Sequence, residues 1–169
     1  RVTQRLVSAL AAQTNHGALY NVDMRLRPSG RSGPVATMIG SFESYQENEA
    51  WTWEHMALCR ARPIFGSPAA RERVSAMIDD ILRMPRDRAK IATDAAKMRA
   101  EMRHHKPSHG ALDVKLGPGG LVDLEFAVHV LQLTRHVGLD TRLEVALEEL
   151  AANSLVKANI VDALKLLSR

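Results

Sequence analysis

The sequence predicts a mainly α protein, α+β overall, with a helix and a β-hairpin over residues 1–40 and a helical bundle over residues 41–169. Three observations point there. Most segments space their apolar residues at a 3.6 period, and only short stretches near the start of the chain alternate. Residues 42–62 run on without a Gly or Pro,. Aromatic residues make up 4% of the chain, whereas Ala, Leu, Arg and Glu, which favour helices, are plentiful,.

In chain order, Leu6, Val7, Ala9 and Leu10 lie at helical spacing over residues 3–13, and Asn15 with Gly17 closes that helix. Residues 18–27 then alternate. Ala18, Tyr20, Val22, Met24 and Leu26 share one face of an expected strand, and Asn21, Asp23, Arg25 and Arg27 share the other. Pro28, Ser29, Gly30, Ser32, Gly33 and Pro34 form a turn, and residues 35–39 are expected to return as the second strand of a hairpin. One helix is expected over residues 42–62, with Trp51 and Trp53 near its middle and Pro63 and Gly66 at its end. Ser67 followed by Pro68 reads as N-cap and first residue of the next helix, whose stripe is Val74, Met77, Ile78, Ile81 and Leu82 up to Pro85. A further helix over residues 86–103 turns Ile91, Ala95, Met98 and Met102 inward. Beyond the polar break at residues 104–110, residues 121–137 are apolar nearly all round, as a central helix should be, and Gly138 ends it. Thr141 with Glu144 reads as a capping box for a helix through Leu143, Leu147 and Leu150. Asn153 breaks that one, and Ile160, Val161, Leu164 and Leu167 carry the last.

Two stretches carry chemistry. Asp23 between Arg25 and Arg27 suits a site for metal-bound phosphate, the carboxylate holding the cation and the planar guanidinium groups meeting phosphoryl oxygens. A surface salt bridge on a half-buried strand is the alternative. In the second stretch Lys115 precedes Gly117, Gly119 and Gly120 at a helix start, where bare N–H groups and a lysine could hold an anion. The alternative is a loop that needs glycine dihedrals, with Asp123 complementing the helix dipole. Asp123 and Glu125 are two apart and so face different sides of a helix. His104, His105 and His109 invite a zinc reading, but no cysteine or HExxH pattern completes a ligand set. Trp51, Trp53 and Glu54 read as packing and framing residues.

The chain has 169 residues, enough for one ordinary domain or two small ones,. Its 23 Lys and Arg against 19 Asp and Glu give a net charge of +4. The basic residues are dispersed and stacking aromatics are few, which argues against a nucleic-acid binder. The single cysteine, Cys59, excludes an internal disulfide and suits a reducing compartment. With no signal-peptide pattern and no long apolar run, a soluble cytoplasmic protein without a membrane role is expected. The start at Arg1, directly in a helical pattern, looks like a piece of a longer protein.

Three stretches together resemble one family: VDMRLRPSGRSGP at residues 22–34, SYQENEAWTWEHMALCRARPIFG at residues 44–66, and KLGPGGLVDLEF at residues 115–126. They are similar to the bacterial glutamine synthetase adenylyltransferases, also called glutamate-ammonia-ligase adenylyltransferases, over about residues 19–135. The resemblance implies two nucleotidyltransferase halves, one attaching AMP to a tyrosine of glutamine synthetase and one removing it by phosphorolysis. It further implies that residues 1–40 are the end of a nucleotidyltransferase palm, with ATP as substrate, Mg²⁺ as cofactor, and glutamine synthetase and the PII signalling protein as partners. The stretch at residues 48–62 looks more like the adenylylating half.

In this family the carboxylate matching Asp23 completes a metal-binding acidic trio, whose other members sit in an upstream Asp-x-Asp that this sequence lacks. The fragment is therefore expected to be inactive by itself. Asp23 is the expected metal ligand, with Arg25 and Arg27 near the triphosphate. Lys115, Gly119 and Gly120 are candidates for phosphate contact, followed by Asp123 and Glu125. The rival readings are a helical interaction module that binds glutamine synthetase or PII, and the deadenylylating half of the same enzyme.

Overall fold

A computed structural model describes residues 1–18, 20, 22–24, 28–110 and 112–167. The chain divides into two compact units, Arg1–Ala50 and Trp51–Arg169. The described residues are mainly helical, as the sequence predicts.

The first unit opens with α1, Val2–Leu10, which buries none of its residues. The hairpin follows at once: β1, Gln13–Thr14, pairs antiparallel with β2, Gly17–Ala18, in the register Gln13↔Ala18 and Thr14↔Gly17. Gly17 adopts φ +93°, open to glycine, and the Thr14 hydroxyl donates to its carbonyl at 2.7 Å,. This corrects the expected hairpin, in which the alternating residues 18–27 pair with residues 35–39 across Pro28 to Pro34. Leu19, Asn21, Arg25, Leu26 and Arg27 lie outside the described residues, and Val22, Asp23 and Met24 have no regular structure. Residues 35–38 form no strand. A short 3₁₀ turn, Gly30–Ser32, occupies the bend, and a Cβ on Gly33 would meet the Pro28 carbonyl oxygen at 1.9 Å. Pro34 ends that bend and has no N–H to give to a ladder, which disfavours a strand over residues 35–38,. Tyr20 and Ala18 are exposed, against the expectation of a core face.

The single helix expected over residues 42–62 is two helices, α2, Ile39–Asn48, and α3, Thr52–Leu58. The break is built by caps. The N–H groups of Glu49 and Ala50 both donate to the Tyr45 carbonyl at 2.9 Å, ending α2. The Glu54 carboxylate, itself buried, reaches back to accept the Trp51 N–H at 2.9 Å, starting α3,. Trp51 is consequently 70% exposed and not a packing residue.

In the second unit α4, Pro68–Arg83, begins as its sequence dictates, with Ser67 Oγ accepting the Ala70 N–H at 3.3 Å and Pro68 in the first turn. Two of its last carbonyls are taken by Arg86, which donates to the Ile81 oxygen and to the Leu82 oxygen, the latter at 2.9 Å,. α5, Arg88–His105, is capped by Asp87, which accepts from the Ala89 and Lys90 N–H groups. α6, Leu121–Arg135, buries Val122, Val128, His129, Gln132 and Leu133. It stops at His136 in the left-handed conformation, two residues before Gly138. Gly138 has φ +69°, and a Cβ there would meet the Ala146 carbonyl at 2.7 Å.

α7, Leu143–Ala152, does not use the expected Thr141–Glu144 capping box. Asp140 Oδ1 accepts the Arg142 N–H at 2.7 Å, so an Asx turn opens the helix instead,. α8 is Ala158–Leu167. The core shared by these helices is Val128, Ala146, Leu147, Leu150 and Val161, flanked by Leu124, Leu131, Val137 and Leu143. Among the described residues no helix is long and apolar enough to cross a membrane.

Candidate functional site

The most organised polar cluster lies where α5 passes the turn into α6. It starts from spacing: Ile91, Ala95 and Arg99 are four apart and all buried, which sets a guanidinium on the apolar stripe of α5,. Arg99 is 6% exposed. Its Nε–H donates to Asp123 Oδ1, and Nη2 donates to the Leu116 carbonyl at 2.9 Å. Its Nη1 has no partner among the described residues. Arg103, one turn on, reaches both Asp123 oxygens at 3.3 Å. The Gly119 N–H donates to Asp123 Oδ2 at 2.7 Å. Partial burial opposes the charge on Asp123. The hydrogen bonds from Arg99 and Gly119 and the charges of Arg99 and Arg103 outweigh it, holding the carboxyl below its usual range,.

The turn itself is closed by its own backbone. Gly117 N–H donates to Asp113 O, Gly120 N–H to Gly117 O, Leu121 N–H to Val114 O, and Val122 N–H to Lys115 O. Gly119 takes φ +73°, a glycine conformation,. Gly120 is fixed by closeness, since a Cβ would lie 2.7 Å from Val114 O and 2.9 Å from Gly117 O. Asp113 pins the other side, accepting the N–H groups of Lys115 at 3.0 Å, Leu116 at 2.9 Å and His109 at 3.0 Å. Those bonds, chiefly from Leu116, lower the Asp113 carboxyl. The Lys115 side chain is exposed and forms no ion pair among the described residues. The arrangement is a rigid turn that presents one unpaired ammonium.

The structure thus brings together Lys115, Gly119, Gly120 and Asp123. Glu125 faces away from Asp123, pairing with Arg60 at 3.3 Å. Asp23 belongs to the other unit and is exposed. Arg25 and Arg27 lie outside the described residues. Among the described residues no group of three His, Cys, Asp or Glu is gathered as a metal site would need. The residues that sequence reasoning missed are Arg99 and Arg103. The available signal was an arginine four residues after Ala95 and eight after Ile91, on a stripe whose other members are apolar.

A second polar group lies deeper. His129 Nδ1 and Gln132 Oε1 are 2.9 Å apart, and the Gln132 amide donates to the carbonyls of Gly138 and Asp140. With its NH₂ so occupied, Gln132 accepts at Oε1, so His129 carries its proton on Nδ1. Its Nε2 has no partner among the described residues. Burial, more than any neighbour, pushes the imidazole down from its ordinary range and keeps it neutral. Cys59 is buried, and burial pushes its thiol up to about 12.

Residues 1–77 match the sequence model of the family described as glutamate-ammonia ligase adenylyltransferase, and residues 88–167 match the one described as GlnD PII-uridylyltransferase. Among curated proteins, the bifunctional glutamine synthetase adenylyltransferase/adenylyl-removing enzyme of Brucella suis is 52% identical over 153 residues, 90% of this chain and 16% of the relative. The protein of the same name from Mesorhizobium japonicum is 53% identical over 142 residues, 84% of this chain and 14% of the relative. That from Rhodopseudomonas palustris is 53% identical over 133 residues, 79% of this chain and 13% of the relative. The chain therefore spans a small part of these relatives' length.

Proposed function

We propose, for a chain that belongs to the glutamate-ammonia ligase adenylyltransferase family, that it is part of a nucleotidyltransferase moving AMP from ATP to a tyrosine of glutamine synthetase, and so regulating nitrogen assimilation. The observation that carries this reading is the extent of the identity. A match over 90% of the chain cannot omit either Asp23 or residues 115–125, so both polar stretches fall within sequence shared with enzymes named for this reaction.

In this reading residues 1–40 are the last part of the nucleotidyltransferase palm and residues 41–169 the helical domain. Asp23 is a metal ligand. An exposed carboxylate is the hard oxygen donor that Mg²⁺ prefers, and its companion donors come from beyond the described residues. When bound, Mg²⁺ offsets the charge of the polyphosphate and of the departing pyrophosphate. Arg25 and Arg27 meet phosphoryl oxygens, which their planar forks suit. Lys115 gives an ammonium to a phosphate group, on the turn shaped by Gly119 and Gly120 and held by Asp123. Glu125, paired with Arg60, fixes the next turn of α6.

Residues 48–62 favour the adenylylating half. With a single acid of the trio, the chain by itself carries out no transfer. The cytoplasm supplies both ATP and glutamine synthetase. In the full-length protein Asp23→Asn should abolish AMP attachment from labelled ATP, leave phosphate-dependent AMP removal intact, and shift the thermal midpoint by no more than a few degrees. Surviving attachment would make Asp23 a structural ion-pair residue. A second reading is favoured by the match of residues 88–167 to a PII-uridylyltransferase model: the helical unit docks the PII signalling protein. Calorimetric titration of the full-length protein with PII, without and with the helical-unit surface substituted, decides it, and an unchanged isotherm sinks it.

A further inference from the structure

We propose that Arg99 is a positioning residue for Lys115, acting through the Leu116 carbonyl and through Asp123 to fix the turn that presents the lysine to a phosphate group of the nucleotide. This rests on the reading of Lys115 as a phosphate contact.

The geometry supplies the argument. One guanidinium grips the turn at two points. Nη2 holds the carbonyl of Leu116, the neighbour of Lys115, while Nε holds Asp123, which in turn takes the N–H of Gly119. Gly117 and Pro118 lie between those points. Asp113 completes the hold from the other side through the N–H groups of Lys115 and Leu116. The lysine backbone is thereby fixed while its side chain stays in solvent.

The residue type matters. A lysine at position 99 has one ammonium in place of a planar fork, and cannot meet a carbonyl and a carboxylate at the angles a guanidinium spans. Arg99 is buried, and its fork meets the carboxylate of Asp123 and the carbonyl of Leu116 together. Arg103 does not duplicate it. Its contacts with Asp123 are both 3.3 Å, its side chain is 55% exposed, and among the described residues it has no bond to the turn itself.

The test is a double-substitution cycle in the full-length protein, reading KM for ATP, kcat for AMP attachment and the thermal midpoint. Lys115→Ala is expected to raise KM about tenfold, the worth of one charged hydrogen bond. Arg99→Lys should raise it comparably with little change in kcat, and the double variant should be no worse than Lys115→Ala. Multiplying effects would overturn the proposal, since Arg99 would then act independently of Lys115. A raised KM in Lys115→Ala beside an unchanged one in Arg99→Lys would overturn the positioning role alone. An unchanged KM in Lys115→Ala would fell the phosphate reading, and the proposal with it. Should Arg99→Lys fail to fold, Asp123→Asn keeps the size of the linking side chain while removing its charge, and the same non-additivity with Lys115→Ala is expected.

Discussion

Asp23 and Asp123 each lie beside a turn rich in Gly and Pro in the sequence, and the structure treats them differently. Asp123 is tied by Arg99, Arg103 and the Gly119 N–H. Asp23 is exposed on a stretch without regular structure. The difference follows what lies beneath each. The second unit holds the buried apolar residues from Met56 to Val161, whereas the described residues of the first bury only Pro28 and Gln46. A polar cluster becomes rigid when a packed core fixes the backbones that carry it, because the entropy of ordering the side chains is then largely met in advance.

The largest effect that could break this contrast is in the cores. Leu150 is 0% exposed in α7, and Leu150→Ala should cost about 3 kcal/mol, within the range for a leucine that leaves a cavity,. Leu6→Ala, in the helix that buries nothing, should stay within about 0.5 kcal/mol,. Urea unfolding of both variants checks the pair, and equal losses would mean that the first unit has a core of its own.

A smaller effect sharpens the contrast at the level of single glycines. Gly120→Ala pushes a methyl against two carbonyl oxygens of the Lys115 turn and should cost about 2 kcal/mol,. Gly40→Ala, in α2 of the first unit, has nothing within 4 Å and should stabilise by about 0.5–1 kcal/mol through helix propensity,. Thermal unfolding of the two variants should move in opposite directions. A destabilised Gly40→Ala would show that α2 is more closely packed than the structure has it.

How much of this was legible depends on whether the determinant was local. α4 reads directly from Ser67, Pro68 and Pro85, because caps and prolines act on their own neighbours. The break between α2 and α3 does not, since it turns on one buried carboxylate, Glu54, and uninterrupted composition hides it. The hairpin was misplaced because Asn15 and Gly17 were read only as the end of a helix, whereas the chain turns there between β1 and β2. At the candidate site the roles of Gly119 and Asp123 were visible as glycine dihedrals and a charged first turn. Arg99 was not. A charged residue on an apolar stripe is read as outward until its partner is known, and that partner lies 24 residues away. The resemblance to the adenylyltransferases was legible from three motif stretches, which carry more information together than any residue class does alone.

The smallest expected effect concerns pH, and it too separates the units, because the buried imidazole lies in the second. Burial lowers the His129 pKa below its unfolded value of 6.5. As pH falls below 6.5 the unfolded chain therefore takes up a proton that the folded chain refuses, and stability declines until the folded pKa is reached. Above 6.5 both states are neutral and the contribution is fully present. The loss is at most about 1.4 kcal/mol for each unit of depression. His129→Gln removes the titration while leaving an amide beside Gln132, so its stability should be flatter with pH between 6.5 and 5 than that of the parent chain. Asp123 is lowered as a carboxylate, so its contribution disappears only as pH falls below the ordinary carboxylate value of 3.8, outside that window. Denaturant midpoints at half-unit intervals test the idea. A parent chain as flat as His129→Gln would mean that the imidazole protonates without cost, through water reaching Nε2.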